Sequence, residues 1–111
     1  MGRLYTIDHK LLTETPEIRI GDKIYPVDDR QKTVEKVIKL TKQETDDELG
    51  LIRQVLELAL GKKAAEEIDN ANYPFAAQQE IMETVISAMT GEAPAKVEER
   101  FRKRQETEAE E

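Results

Sequence analysis

Cysteine and tryptophan are both absent from the 111 residues of this chain. Without cysteine there can be no disulfide framework, no thiolate metal site and no cysteine nucleophile. The chain has one histidine, His9, and one serine, Ser87, so it shows neither a cluster of histidine ligands nor a serine beside a catalytic base. We therefore predict no catalytic residues, no metal site and no cofactor, and we expect that the protein is not an enzyme.

Long apolar runs are also missing. No stretch approaches the roughly 18–20 residues that cross a membrane, and the N-terminus lacks the apolar segment of a signal peptide. The formal net charge of -7 disfavours a nucleic acid as partner, because phosphate backbones repel an acidic protein. These features predict a soluble, cytoplasmic protein, and the length favours a single domain.

What the chain does contain is a strongly apolar helix at its centre, predicted over residues 47–61. A surface helix of a globular protein normally carries one apolar stripe. Here the apolar positions form two lines: Leu51, Val55 and Leu58 in one, and Leu49, Ile52, Leu56 and Ala59 in the other. We expect one line to pack against the domain's own helices and the other to meet a partner protein or a second copy.

Two short alternating segments around Gly21-Asp22 predict a β-hairpin. We place Ile18, Ile20 and Ile24 on the face directed toward the core. A two-stranded hairpin is marginally stable in water, so it requires the helices, a third strand from residues 4–7, or another subunit. Its free edge also offers strand addition between copies.

Acidic residues stand directly before two predicted helices. Asp28 or Asp29 is a candidate N-cap for a helix at about 29–43. Thr45 and Glu48 have the spacing of a capping box before the central helix. Helix capping explains these acids better than metal binding or acid–base chemistry, because no calcium-loop pattern surrounds them.

Gly61 is a typical helix-ending glycine, and two more helices are predicted after it, at 62–69 and 74–90. In the first, Ala64, Ala65 and Ile68 are expected to face inward. In the second, the residues expected on one apolar face are Phe75, Ile81, Met82, Val85, Ile86 and Met89.

The composition changes after Glu92, where almost every residue is charged. Only Val97 and Phe101 are sizeable and apolar, and two residues should not hold a segment to a core. We expect a projecting helix that frays at its end. The predicted organisation is an arm at 1–15, a domain at 16–92 and a charged helical extension at 93–111.

The predicted fold class is α+β, with an N-terminal β-hairpin packed against a bundle of about four α-helices. The lysines of the first helix are interpreted as a solvated face. The candidate protein-binding residues are Leu51, Val55, Leu58, Ile18, Ile20, Ile24, Val97 and Phe101.

Several segments together resemble small tail assembly chaperones of long-tailed bacteriophages and prophages. Residues 16–29, PEIRIGDKIYPVDD, are similar to the opening hairpin of that family, which is also followed directly by a helix. Residues 58–68, LALGKKAAEEI, resemble its glycine-lysine junction and alanine-rich short helix. Residues 73–75, YPF, with 81–92, IMETVISAMTGE, resemble its final helix and glycine stop. The resemblance rests on order and spacing, since no single motif is diagnostic.

The resemblance implies a protein that binds the tape measure protein in the cytoplasm of the bacterial host and keeps it soluble. Such chaperones help recruit subunits of the major tail tube protein and are absent from the mature virion. Self-association into a homo-oligomer is compatible with this role. The alternative is a small structural virion protein, such as a head–tail connector or a tail completion factor. A nucleic-acid-binding regulator that uses the lysine-rich helix is disfavoured by the acidity of the chain.

Overall fold

The computed structural model describes residues 2–9, 14–43, 45–93 and 95–99. The elements described in full between residues 14 and 93 begin with two strands, which are followed by helices. The elements are β1 (Glu17–Ile20), β2 (Lys23–Pro26), α1 (Gln31–Lys42), α2 (Glu48–Leu60), α3 (Lys62–Ala71) and α4 (Phe75–Thr90). Residues 95–99 form one further helical segment. The predicted α+β class, with a hairpin and a helical bundle, is confirmed.

Helix α2 is the central element of the core. It contacts α1, α3 and α4, and β1 packs against α4. The residues of α2 that are buried belong to both predicted lines: Leu51, Ile52, Val55, Leu56 and Ala59. Because a fully buried aliphatic side chain contributes about 1.5–3 kcal/mol, α2 supplies much of the stability of the domain.

The hairpin has a register that places Ile24 on the opposite face from the one we predicted. Ile18 lies opposite Tyr25 and Ile20 lies opposite Lys23, and opposed residues of antiparallel strands share a face. Ile18 is buried and Ile20 is half-buried, whereas Ile24 is 51% exposed on the outer face. The two-residue turn fixes this register, so a pattern that is correct for β1 is out of phase in β2.

The third strand that was one alternative for supporting the hairpin, at residues 4–7, does not form. The described sheet has two strands, and Leu4, Tyr5 and Ile7 are exposed. Helices support the hairpin instead: the Tyr25 hydroxyl donates a hydrogen bond to a Glu67 carboxylate oxygen of α3 at 3.2 Å.

Asp28 connects the hairpin to two helices. Its backbone N–H donates to the carbonyl oxygen of Ala59 at 2.8 Å, which satisfies an acceptor in the last turn of α2. Its carboxylate accepts hydrogen bonds from the Arg30 backbone N–H at 3.1 Å and from the Thr33 hydroxyl at 2.9 Å. Since α1 begins at Gln31, neither Asp28 nor Asp29 is its N-cap residue, which corrects the prediction.

We expect the contribution of Asp28 to stability to depend on pH. Hydrogen bonds from the Arg30 side chain and backbone and from Thr33 hold the pKa of this carboxyl well below its usual range. The stabilisation is therefore complete above the unfolded-state pKa of about 3.9 and is lost as the pH falls further toward the folded-state value.

The variant Asp28→Asn tests this expectation. It should be less stable than wild type by about 1 kcal/mol at pH 7, an estimate reduced because Arg30 is solvent-exposed. The difference should narrow between pH 4 and pH 2 in urea unfolding followed by circular dichroism. A difference that stays constant over this range would contradict the role given to the Asp28 charge.

The N-terminus of α2 is capped by Asp47. The Asp47 carboxylate accepts a hydrogen bond from the Gly50 N–H at 2.9 Å, and the Thr45 hydroxyl accepts one from the Asp47 N–H at 3.0 Å. Thr45 therefore holds the cap residue in place and is not the cap itself. The predicted capping box of Thr45 and Glu48 is corrected accordingly.

A single residue, Gly61, separates α2 from α3. Its dihedral angles, φ 96° and ψ 158°, lie in a region that is essentially restricted to glycine. No heavy atom lies within 4 Å of the position where a Cβ would stand, so a substitution there would act only through the backbone. The predicted helix end at Gly61 is confirmed, and α3 continues two residues beyond the predicted end at residue 69.

We expect Gly61→Ala to lower the free energy of unfolding by about 1–3 kcal/mol, the usual cost of a strained backbone conformation. Gly2→Ala is the matched control, because Gly2 also has no heavy atom near its Cβ position and has no positive φ. Thermal unfolding of both variants would measure the difference. Equal melting temperatures for the two variants would show that the α2–α3 junction does not require glycine.

Helix α4 carries a buried polar atom among its apolar residues. Met82, Val85, Ile86 and Met89 are buried as predicted, and so is Ser87, which is 8% exposed. The Ser87 hydroxyl has no hydrogen-bond partner among the described residues. An unpaired buried hydroxyl destabilises the folded state.

We therefore expect Ser87→Ala to raise the free energy of unfolding by about 1 kcal/mol, because it removes the unpaired hydroxyl and introduces a better helix former. Urea unfolding would measure the change. The substitution Ala88→Ser, at the neighbouring position, should lower the free energy of unfolding. If Ser87→Ala is destabilising, the hydroxyl must have a partner in solution.

The described part of the C-terminal segment corrects the expectation that Val97 would not be held to the core. Gly91 ends α4 in the left-handed region, with φ 76°. In the helical segment that follows at 95–99, Val97 is 0% exposed and belongs to the core cluster. The packed body therefore continues past residue 92. Phe101 and the rest of the predicted extension, residues 100–111, lie outside the described residues.

Candidate protein-binding surface

The predicted binding residues of α2 are mostly inaccessible. Leu51 and Val55 are buried, and Val97 is buried as well. The expected free apolar line on α2 does not exist, because neighbouring helices cover both lines along most of their length. The apolar side chains of α2 that are accessible lie near its two ends: Leu49 in the first turn, and the half-buried Leu58 and Leu60 in the last.

The surface around Leu49 is a pocket of about 360 Å³ between α2, α3 and the start of α4, which we call the α2/α3 pocket. Four buried core residues line it: Ile52, Leu56, Ala65 and Ile68. Three large, accessible side chains also line it: Leu49, Tyr73 and Phe75.

Local backbone structure places these three side chains. Leu49 follows the Asp47 cap by two residues. Tyr73 and Phe75 flank Pro74 in the junction between α3 and α4, where Asn72 adopts a left-handed conformation with φ 53°. Leu49 is 57% exposed, Phe75 48% and Tyr73 39%.

Phe75 was predicted to be a core residue, and the structure corrects this. It shares a helical face with Met82 and Ile86, as the periodicity indicates. However, Phe75 is the first residue of α4. The elements that cover this face at Met82 and Ile86 do not extend to it, so it stays 48% exposed. Helical periodicity identifies the face of a residue but does not reveal how far the covering elements extend. No sequence signal identified Tyr73 and Phe75 as surface residues.

Charged groups border the α2/α3 pocket. The Arg53 guanidinium lies 3.8 Å from a carboxylate oxygen of Asp69 and 3.5 Å from one of Glu57. Exposed ion pairs of this type contribute little to stability. They form a polar border to an apolar site, which is the usual arrangement of a protein interface.

The chemistry of this pocket fits an apolar side chain of a partner. Clustered accessible leucine and aromatic side chains are unusual on a monomer surface and are typical of interaction sites. Among the described residues, no group of histidine or acidic side chains is arranged to hold a metal ion.

Leu58 lies in a second groove, between α1 and α2, on another side of the helix. Its floor consists of the half-buried Leu40 and Leu58, and three lysines line it: Lys36, Lys39 and Lys62. We call this the lysine groove. Leu58 is the predicted α2 residue that the structure leaves accessible.

The hairpin residues are divided between two surfaces. Ile18 and Ile20 line a cleft between β1 and α4, together with Ala77 and Ile81 of α4. Ile24 is exposed on the outer face. Each strand of the described two-stranded sheet has one outer edge without a neighbouring strand. The hairpin thus retains the edge that strand addition requires.

Comparison of the chain with family models, curated proteins and solved structures gives no match. None of the helices in the described part of the chain is both long enough and apolar enough to cross a membrane.

Proposed function

We propose that this protein is a non-catalytic phage tail assembly chaperone that binds the tape measure protein before the tail tube forms. The observation that carries the proposal is the α2/α3 pocket, with accessible Leu49, Tyr73 and Phe75 around a floor of core residues. The kind of protein that would be bound comes from the resemblance of the chain, in the order of its segments, to phage tail assembly chaperones.

The proposed mechanism is reversible burial of client side chains. A helical segment of the tape measure protein inserts an aliphatic or aromatic residue into the α2/α3 pocket, which removes apolar surface of both proteins from water. The net charge of -7 opposes aggregation of the complex. Release then requires only that the growing tail compete for the same client surface.

The remaining parts of the proposal come from the resemblance to phage tail assembly chaperones. The protein acts in the cytoplasm of the bacterial host, helps to recruit major tail tube subunits, and does not enter the mature virion. A homo-oligomer would form through the hairpin edge or through an accessible apolar surface.

Co-expression with the tape measure protein encoded in the same genome tests the proposal. We expect the tape measure protein to become soluble and to co-purify with the chain. If the tape measure protein stays insoluble and nothing co-purifies, the proposal is wrong. A tape measure gene as the next long reading frame would support it.

Mass spectrometry of purified virions separates this proposal from the structural alternative. A chaperone should be absent or far below stoichiometric amounts. A connector or completion factor would be present in a fixed ratio to the other tail or head proteins.

A further inference from the structure

We propose that the lysine groove binds an acidic amphipathic helix of a protein partner, at a site separate from the α2/α3 pocket. Two features of the groove lead to this inference: an apolar floor, and a set of lysines that have no acidic partner in the described part of the chain. Each feature specifies one part of the ligand.

The apolar floor requires apolar side chains in the ligand. Leu40 of α1 and Leu58 of α2 are half-buried at the bottom of a groove of about 590 Å³. Gln43 and Gln54 also line this groove. A helix that presents leucine-like side chains one turn apart would cover both leucines and remove them from water.

The lysines require acidic groups beside that apolar stripe. Lys36 and Lys39 stand one turn apart on α1, and Lys62 begins α3. Within the described residues, the ion pairs with N···O distances up to 4.0 Å involve none of these three lysines. Three unpaired cations around one apolar groove are complementary to a helix with acidic flanks.

An acidic side chain already lines the groove, but an arginine engages it. Glu57 is paired with Arg53 at 3.5 Å, on the side of α2 that leads toward the α2/α3 pocket. The pair leaves the three lysines without a carboxylate partner of their own. A partner helix can supply the carboxylates that the described residues do not.

A nucleic acid fits the groove less well. A phosphate backbone would contact the lysines but would leave Leu40 and Leu58 uncovered, and it would approach Glu57. The chain as a whole carries a net charge of -7, which opposes such a partner at longer range. A protein helix satisfies both the floor and the lysines.

The lysine groove is independent of the α2/α3 pocket. Leu58 lies nine residues after Leu49 on α2, which corresponds to about 180° around a helix with 3.6 residues per turn. Partners could therefore occupy the two surfaces at the same time. Variants at one surface should not change binding at the other.

Two fluorescent helical peptides are suitable probes for the full-length protein. Both carry the same stripe of leucines at helical spacing; one has glutamates on the flanks and the other has lysines. We expect fluorescence anisotropy at low salt to show that the acidic peptide binds about tenfold more tightly than the basic one, as several complementary charges predict. This preference should decrease as salt is added.

Charge reversal in the protein provides the matched test. Lys36→Glu/Lys39→Glu should reverse the preference, so that the basic peptide binds more tightly. Phe75→Asp, at the α2/α3 pocket, should leave binding of the acidic peptide unchanged. All three positions are exposed, so melting temperatures of the variants should stay close to wild type.

Four results would overturn the inference. They are equal binding of both peptides, loss of acidic-peptide binding in Phe75→Asp, tighter binding of a duplex DNA of equal charge, and competition from the chain's own acidic C-terminal residues. The last is measured with a variant in which glutamine replaces four glutamates: Glu106, Glu108, Glu110 and Glu111. If this variant binds the acidic peptide more tightly, the groove belongs to the chain's own C-terminal segment.

Discussion

Leu51→Ala is expected to lower the free energy of unfolding by about 2–5 kcal/mol, the usual range for truncating a buried leucine. Leu51 is 5% exposed and belongs to the core cluster around α2. Removing its side chain takes away buried apolar area and leaves a cavity that the surrounding helices can fill only in part. In a small domain with a total stability of about 5–10 kcal/mol, this is a large fraction of the whole.

Leu49→Ala is the matched control, because it makes the same chemical change two residues earlier in the same helix. Leu49 is 57% exposed, so its truncation should change stability by no more than about 0.5 kcal/mol. Urea unfolding followed by circular dichroism would measure both variants. Equal and small effects would show that Leu51 is accessible, as the sequence pattern first suggested, and that the described core is incorrect.

The second large effect is expected in client binding. Phe75→Asp should weaken binding of the proposed client, the tape measure protein, by about 2 kcal/mol, or roughly 30-fold, the effect of losing an interface hot spot. The substitution replaces an aromatic anchor at the α2/α3 pocket by a charge that binding would desolvate. Combining it with Leu49→Asp should reduce binding further.

Ile24→Asp is the control for this experiment. Ile24 is exposed to a similar degree, 51% against 48% for Phe75, but it lies on the outer face of the hairpin. It should leave client affinity unchanged, and both variants should keep the melting temperature of wild type. If the two substitutions weaken binding equally, the client recognises exposed apolar residues in general and the pocket has no special role.

Leu51 and Leu49 illustrate how far the sequence can define the binding surface. The pattern correctly identified α2 as the central helix with apolar side chains on more than one side. It did not show which of these side chains the other helices would cover, since this depends on how those helices pack. The prediction placed the binding surface in the middle of α2, whereas the accessible apolar side chains lie at the two ends of α2 and at Tyr73 and Phe75.

Local signals gave the most reliable predictions of structure. Gly21-Asp22 and Gly61 each marked a turn or junction, because the backbone conformations found there favour glycine. The buried methionines Met82 and Met89 followed from helical periodicity. These features depend on a few neighbouring residues, so they can be predicted without knowledge of the tertiary fold.

The errors arose where strand pairing or packing between elements determines which side chains are buried. Ile24 was placed on the wrong face because the register across the turn determines the phase of β2. Val97 was expected to be too isolated to be held by a core, yet it is completely buried and belongs to the core cluster.

Hydrogen–deuterium exchange of the full chain, with and without the tape measure protein, tests most directly whether a client occupies the α2/α3 pocket. We predict slower exchange in residues 69–78, at the α3–α4 junction that carries Tyr73 and Phe75, and no change in the outer strand around Ile24. A stable complex without protection at 69–78, or protection confined to the hairpin, would contradict the account.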